Sequence, residues 1–143
     1  MFKDTTVNEN KNFVPIKEAS KIIGKIAEDN DSEITCSMCE VDHRYSFPVY
    51  RKEITSCNIL EVVAGTNGYH GGDGGSGSRT FIRIKDLCST GMYVNKLGDY
   101  PDNGGFELVL AGDTELETTI EAFKFIIKVL EAQAEDTIEN RGY

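Results

Sequence analysis

The sequence predicts an α+β domain in which an antiparallel sheet of about five or six strands is flanked by an N-terminal and a C-terminal helix. Three observations carry this. Apolar residues recur at spacings of three and four near both ends of the chain. Between them lie short runs rich in Val, Ile, Tyr and Phe, the composition of half-buried strands. The connections between these runs are mostly hairpin-sized, which gives a meander with both helices on one face. The other face is left for a ligand or a second copy. Residues 1–13 are polar, with Asn8, Asn10 and Asn12 alternating, and read as a flexible arm. Residues 14–143 read as a single domain, an ordinary size for one.

Pro15 suits the first turn of a helix, where its missing N–H leaves no bond unmade. Ile16, Ala19, Ile22, Ile23, Ile26 and Ala27 share one face of that helix, and Lys17, Lys21 and Lys25 another. Gly24 weakens it by about 1 kcal/mol relative to alanine, and Glu28-Asp29-Asn30-Asp31 ends it. Ile34–Met38 and Val41–Tyr50 read as strands, the second assigned to an edge by Pro48. Asn58–Ala64 carries Ile59, Leu60, Val62 and Val63 and reads as a buried strand. Arg79–Lys85 alternates with period two, Ile82 and Ile84 on one face, Arg79, Phe81 and Arg83 on the other. Gly91–Leu97 and Phe106–Ala111 complete the set, joined by a turn-rich loop. Asp113 or Thr114 caps the last helix, with Glu117 three residues beyond Thr114. Its apolar face is read as Leu116, Ile120, Phe123, Ile127 and Leu130, joined by Ile126 and Val129, to about residue 136.

The net charge of −9 is unevenly spread. Residues 1–64 hold 11 acids against 8 bases, residues 65–106 four against four, and residues 107–143 nine against three. With no basic run to neutralise phosphates, the chain does not read as a duplex nucleic-acid binder. The neutral middle is the part best able to approach an anion. No apolar run is long enough for a membrane helix, and Met1-Phe2-Lys3-Asp4-Thr5 lacks a signal-peptide core, so a cytoplasmic protein with reduced cysteines is expected.

Of 14 glycines, seven fall between Gly65 and Gly77, between two strands. Gly72-x-Gly74-x-x-Gly77 matches the dinucleotide fingerprint only formally, because the segment leads into a strand and not a helix. No Walker A sequence and no kinase catalytic motif accompanies it. Glycine backbones allow close approach, and successive N–H groups form nests for phosphate. The expected ligand site is therefore this loop, a stretch of unusual length for a connection without a role. From its first half it takes Asn67, Tyr69, His70, Gly71, Gly72 and Asp73. Gly74, Gly75, Ser76, Gly77 and Ser78 follow, then Arg79, Thr80, Phe81 and Arg83 on the next strand. Arg79 is the candidate bidentate phosphate contact. Ser76, Ser78 and Thr80 offer hydroxyls, and Tyr69, Phe81 or Tyr93 a stacking surface for a base. Asp73 is the counter-indication, since it repels phosphate unless it meets a donor. The competing reading is a merely flexible hairpin loop.

Cys36-Ser37-Met38-Cys39, with His43 beyond, is a lone CxxC; Cys57, His70 and Cys88 are scattered. A structural zinc site needs four ligands, usually in two pairs, so small half-buried cysteines in a sheet are expected in place of a metal site. His70 and Asp73 with Ser76 or Ser78 resemble a hydrolytic group in composition, but a glycine-rich loop is a poor platform for an oriented base and nucleophile. A non-enzymatic binder with no catalytic residues and no cofactor is expected.

At Gly65-Thr66-Asn67-Gly68, at Gly71-Gly72-Asp73-x-Gly75-x-Gly77-Ser78-Arg79-Thr80-Phe81 and at Asp113-x-Glu115-Leu116-Glu117, the chain resembles small uncharacterised proteins from phages and prophages of Gram-positive bacteria. The resemblance covers roughly residues 58–130. It implies a counter-defence context inside the host cell. One compatible design is a sponge, a homo-oligomer that sequesters a nucleotide immune signal. The other is an acidic protein inhibitor of a host defence effector, in which Glu117, Glu121, Glu131 and Glu135 would face the partner. Lys124 and Lys128 interrupt that row and weaken a DNA-mimic version.

Overall fold

The computed structural model describes residues 5–8, 16–28, 33–99 and 101–141. Their elements run β1 (Thr5–Asn8), α1 (Ile16–Ile26), β2 (Thr35–Val41), β3 (Tyr45–Thr55), β4 (Ile59–Thr66), β5 (Thr80–Cys88), β6 (Met92–Gly98), β7 (Gly105–Leu110) and α2 (Asp113–Arg141). The α+β class, the antiparallel pairing and the two terminal helices are as the sequence predicts. The strands do not form one sheet, however. The main sheet is β1-β2-β3-β4-β5, all neighbours antiparallel, and β6-β7 is a separate two-stranded hairpin.

Two further differences have local causes. Thr5–Asn8, inside the segment expected to be a loose arm, pairs along β2 and sends Val7 into an apolar cluster. The chain also leaves the main sheet after β5. Ser89 takes a left-handed backbone (φ 58°). Thr90 then turns back, its N–H donating to Asp86 Oδ1 (3.1 Å) and its hydroxyl to the Ile59 carbonyl (3.4 Å). That turn carries β6 away from the β5 edge, where a sixth strand of the main sheet would have paired.

The larger core lies between the sheet and the helices. Ala19, Ile22 and Ile26 of α1 meet Tyr50, Ile54, Leu60, Val62 and Ala64 of the sheet, together with Ala122, Phe125, Ile126, Val129 and Ala132 of α2. Lys21 of α1 pairs with the nearly buried Asp136 of α2 and ties the helices together. The opposite face of the sheet carries a second cluster of Cys39, Val41, Phe47, Val49 and Val63. Beside it Glu61 accepts from Arg51 Nε (2.9 Å) and faces Arg83 at 3.7 Å.

Helix α2 packs by a different face from the one the periodicity singles out. Of the expected face, Ile126 and Val129 are buried beside Ala122 and Phe125 and Leu130 packs against them, while Leu116, Ile120, Phe123 and Ile127 are exposed. The helix is apolar on two sides. The sheet takes the side where Thr118, Ala122 and Ala132 let the backbone approach closely, because small side chains permit tighter helix–sheet packing than Leu or Phe.

Candidate functional site

The site begins where β3 and β4 part. Their ladder runs from Thr55↔Ile59 to Tyr50↔Ala64. Two residues on, Pro48 stands opposite Thr66 but has no N–H to give. Gln133 of α2, 3% exposed, fills the gap with both ends of its carboxamide. Its Oε1 accepts the Thr66 N–H and its Nε2 donates to the Pro48 carbonyl, each at 2.9 Å. Pro48 is thus an interior residue of a central strand and not the edge marker the sequence predicts. A Cβ on Gly65 would lie 2.5 Å from the Pro48 oxygen, so only glycine fits the crossing.

The glycine segment is therefore anchored at its root. Gly68 has φ +80° and abuts the Thr137 side chain of α2. Its N–H donates to Thr66 Oγ1 (3.1 Å), and that hydroxyl donates in turn to the Arg79 carbonyl (2.9 Å). Asn67 closes the neck twice: its N–H donates to the Arg79 carbonyl (3.2 Å), and its Oδ1 accepts the Arg79 N–H (2.7 Å). Farther out, Gly77 N–H donates to the Asp73 carbonyl (2.6 Å), and Gly72 and Gly77 come too close for either to carry a Cβ. Asp73 is answered within the loop. Its carboxylate accepts the Gly75 N–H (2.9 Å), and the Gly75 and Ser76 amides hold its carboxyl below the usual range.

Arg79 is 6% exposed and points under the loop. Its Nη1 donates to the carbonyls of Gly77 (3.1 Å) and Ser78 (3.2 Å), and its Nη2 to that of Gly75 (3.4 Å). Its guanidinium stacks 4.3 Å from the centre of the Tyr45 ring. It acts as the clamp that folds the loop over the end of the sheet. These carbonyls are neutral acceptors, so its positive charge persists beneath the glycines.

On the helix side, the loop and α2 enclose two adjoining cavities. One, of about 220 Å³, is lined by Thr66, Gly68, Tyr69, Ser78, Thr80, Leu130, Glu131 and Ala134. The other, of about 390 Å³, is lined by Tyr69, His70, Gly71, Gly72, Ser78 and Ile138. Tyr69 and Ser78 border both, so the two form one groove with Tyr69 on its rim. His70 Nε2 bonds the Asn67 carbonyl (3.0 Å), which turns the imidazole along the loop neck.

The strand alternation divides the sequence-predicted site. Tyr69, His70, Gly71, Gly72, Ser78 and Thr80 line the groove. Asn67 and Gly77 shape the loop without lining it, and Asp73, Gly74, Gly75 and Ser76 form its exposed tip. Arg79, Phe81 and Arg83 point to the opposite face, where Phe81 joins the Tyr45 cluster and Arg83 stacks over Phe81 at 5.4 Å. Tyr93 lies away on the β6–β7 hairpin. The groove residues that the loop reading misses are Leu130, Glu131, Ala134 and Ile138 of α2, with Gln133 and Thr137 behind them. Gln133 left one trace in the sequence: a polar residue on the same helical face as Ile126 and Val129.

The cysteines do not converge. Cys36 and Cys39, three apart on β2, face opposite sides of the sheet and join different clusters. Burial pushes both thiols up to about 11. Among the described residues no group of three metal-ligating side chains comes together. No protein-family model, curated protein or solved structure matches the chain.

Proposed function

We propose that the groove between the glycine loop and α2 binds a small phosphate-bearing, nucleotide-type ligand and holds it without turnover. The observation that carries this reading is the groove itself. It is anchored by Gly68 against Thr137 and by Gln133, has the size of a small-molecule site, and is mostly apolar with a few hydroxyls and backbone groups in its lining. The Gly71–Gly72 backbone in one cavity, the Thr80 hydroxyl in the other and the Ser78 hydroxyl shared by both suit phosphate oxygens. Tyr69 lines the same cavity as Leu130 and Ala134 and offers a stacking surface for a base, a contact that tolerates any base. Glu131 is an acceptor for a ribose hydroxyl or an exocyclic amine. Asp73 sits at the exposed loop tip outside the groove lining, its carboxylate turned to its own loop amide.

In the counter-defence context implied by the resemblance to phage proteins, such a ligand is a nucleotide immune signal and the protein is a sponge for it. The exposed face of α2 is a stripe of Leu, Ile and Phe in place of an unbroken acidic row, which favours the sponge over an acidic mimic. Isothermal titration with cyclic nucleotides and ADP-ribose derivatives tests the reading. Expected are stoichiometric heat with at least one of them, its loss in Tyr69→Ala, and recovery of the intact ligand after denaturation. Absence of heat with all of them, or a ligand recovered cleaved, overturns it.

A further inference from the structure

The β6–β7 hairpin and the outer face of α2 leave a row of large apolar side chains in water. Register places Met92, Val94 and Lys96 opposite Leu110, Leu108 and Phe106 on one face of the hairpin, and Tyr93 opposite Val109 on the other. Met92, at its root, packs against the helix-side core, so this face lies on the same side of the sheet as α2. Farther out it is bare: Val94 is 58% exposed and Phe106 67%. Apart from that root, β6 and β7 pack principally on each other. A lone two-stranded ribbon is marginal in water and needs a layer over its apolar face.

Helix α2 begins three residues after the hairpin ends. Its exposed stripe of Leu116, Ile120, Phe123 and Ile127 runs at alternating spacings of four and three. That is a coiled-coil-type seam, with Ile at one of the two core positions and Leu and Phe at the other. The opposite side of the same helix is already engaged by β4.

We propose that this combined surface is where a second copy of the chain docks, in a two-fold dimer that covers the hairpin face and the α2 stripe of both copies. The area fits. At roughly 150–200 Å² per side chain, the exposed fractions of Val94, Phe106, Leu116, Ile120, Phe123 and Ile127 leave about 500–650 Å² of apolar surface per chain. That lies at the upper end of the roughly 300–600 Å² of an ordinary monomer's largest patch. It approaches the roughly 800 Å² that each partner contributes to a standard interface. The chemistry also fits a copy better than a stranger. One chain presents both a flat apolar ribbon and an apolar helix seam, the two surfaces that pack together elsewhere in the same fold, and a two-fold axis pairs them without any other component. Lys124 and Lys128 alternate with Glu117, Glu121 and Glu131 along the seam, so its flanks carry both signs and do not simply repel.

Sedimentation velocity of the full chain from about 1 to about 100 µM, with native mass spectrometry, tests this. Expected is a dimer or an even multiple of it. Ile120→Glu with Ile127→Glu, and separately Phe106→Glu, halve the mass and retain the circular dichroism of the fold. Lys85→Ala, exposed on the face of β5 that looks away from α2, leaves the mass unchanged. A wild-type monomer at the highest concentration, an odd-numbered assembly, or folded variants with unchanged mass overturns it. Where a variant does not fold, hydrogen exchange of the wild type decides. Protection of residues 92–97, 106–110 and 116–127 that falls on dilution supports the dimer, and protection independent of concentration refutes it. Failure of ligand binding by a wild-type dimer concerns only the groove, and a monomer that still binds ligand concerns only this surface.

Discussion

Gln133 offers the sharpest test of how the glycine loop is held. It stands in for a missing rung between Pro48 and Thr66, and both of its partners are backbone groups at the root of the loop. Gln133→Leu keeps the bulk but removes both hydrogen bonds, leaving the Thr66 N–H and the Pro48 C=O buried and unpaired. Each such group costs about 1–3 kcal/mol, so the substitution is expected to cost about 2–5 kcal/mol, a large share of a total stability of about 5–15 kcal/mol. In urea, with a slope of about 1–3 kcal/mol/M, the midpoint falls by about 1–3 M. Ligand affinity falls as well, because the neck at Thr66 loses its fixed position. A midpoint shift below about 0.3 M refutes the reasoning, since water or a relaxed strand would then satisfy both groups. Gln133→Glu separates the two bonds. It keeps the acceptor for Thr66 but, ionised, turns an oxygen toward the Pro48 carbonyl. The introduced carboxyl is raised by that contact and by burial, so the variant is more stable at low pH and loses stability as pH rises through the carboxyl's folded value.

Gly68→Ala, at φ +80° and against Thr137, is expected to cost about 1–2 kcal/mol from backbone strain alone, and to weaken ligand binding; Gly74→Ala, with open space around it, is silent in both thermal melts and titration. Thiol labelling of the native protein near pH 8 is expected to modify the exposed Cys57 and Cys88 quickly, the half-buried Cys36 slowly and the buried Cys39 only after denaturation; four fast thiols would contradict the burial of the pair. Glu18 is raised by burial first and by Asp136 second. Its native form therefore holds its proton more tightly than the unfolded chain does, and stability falls as pH rises from about 4.5 through the folded value. Glu18→Gln is expected to stabilise the protein at pH 7, with the gain vanishing in denaturant melts below about pH 4.

Period and composition alone determine the α+β class, both helices, most strands and the glycine loop as the candidate site, because these depend on neighbours a few residues apart. The alternation of Arg79, Phe81 and Arg83 against Ile82 and Ile84 is equally legible, and it already implies that a strand cannot aim Arg79 and Thr80 at the same ligand. What only the tertiary structure decided involves partners far apart in sequence. A helix with two apolar faces carries no local mark of which one the sheet will take; close packing through Ala122 and Ala132 chose one and left Leu116, Ile120, Phe123 and Ile127 outside. Pro48 reads as an edge residue until Gln133, 85 residues away, supplies the bond it lacks. Arg79 reads as a phosphate ligand until the loop closes and its own carbonyls reach the guanidinium first. The glycines fall into two kinds for the same reason. Gly65, Gly68, Gly72 and Gly77 meet other parts of the fold that leave no room for a side chain, while Gly74 meets nothing. Composition counts them alike, and only the packed chain tells them apart.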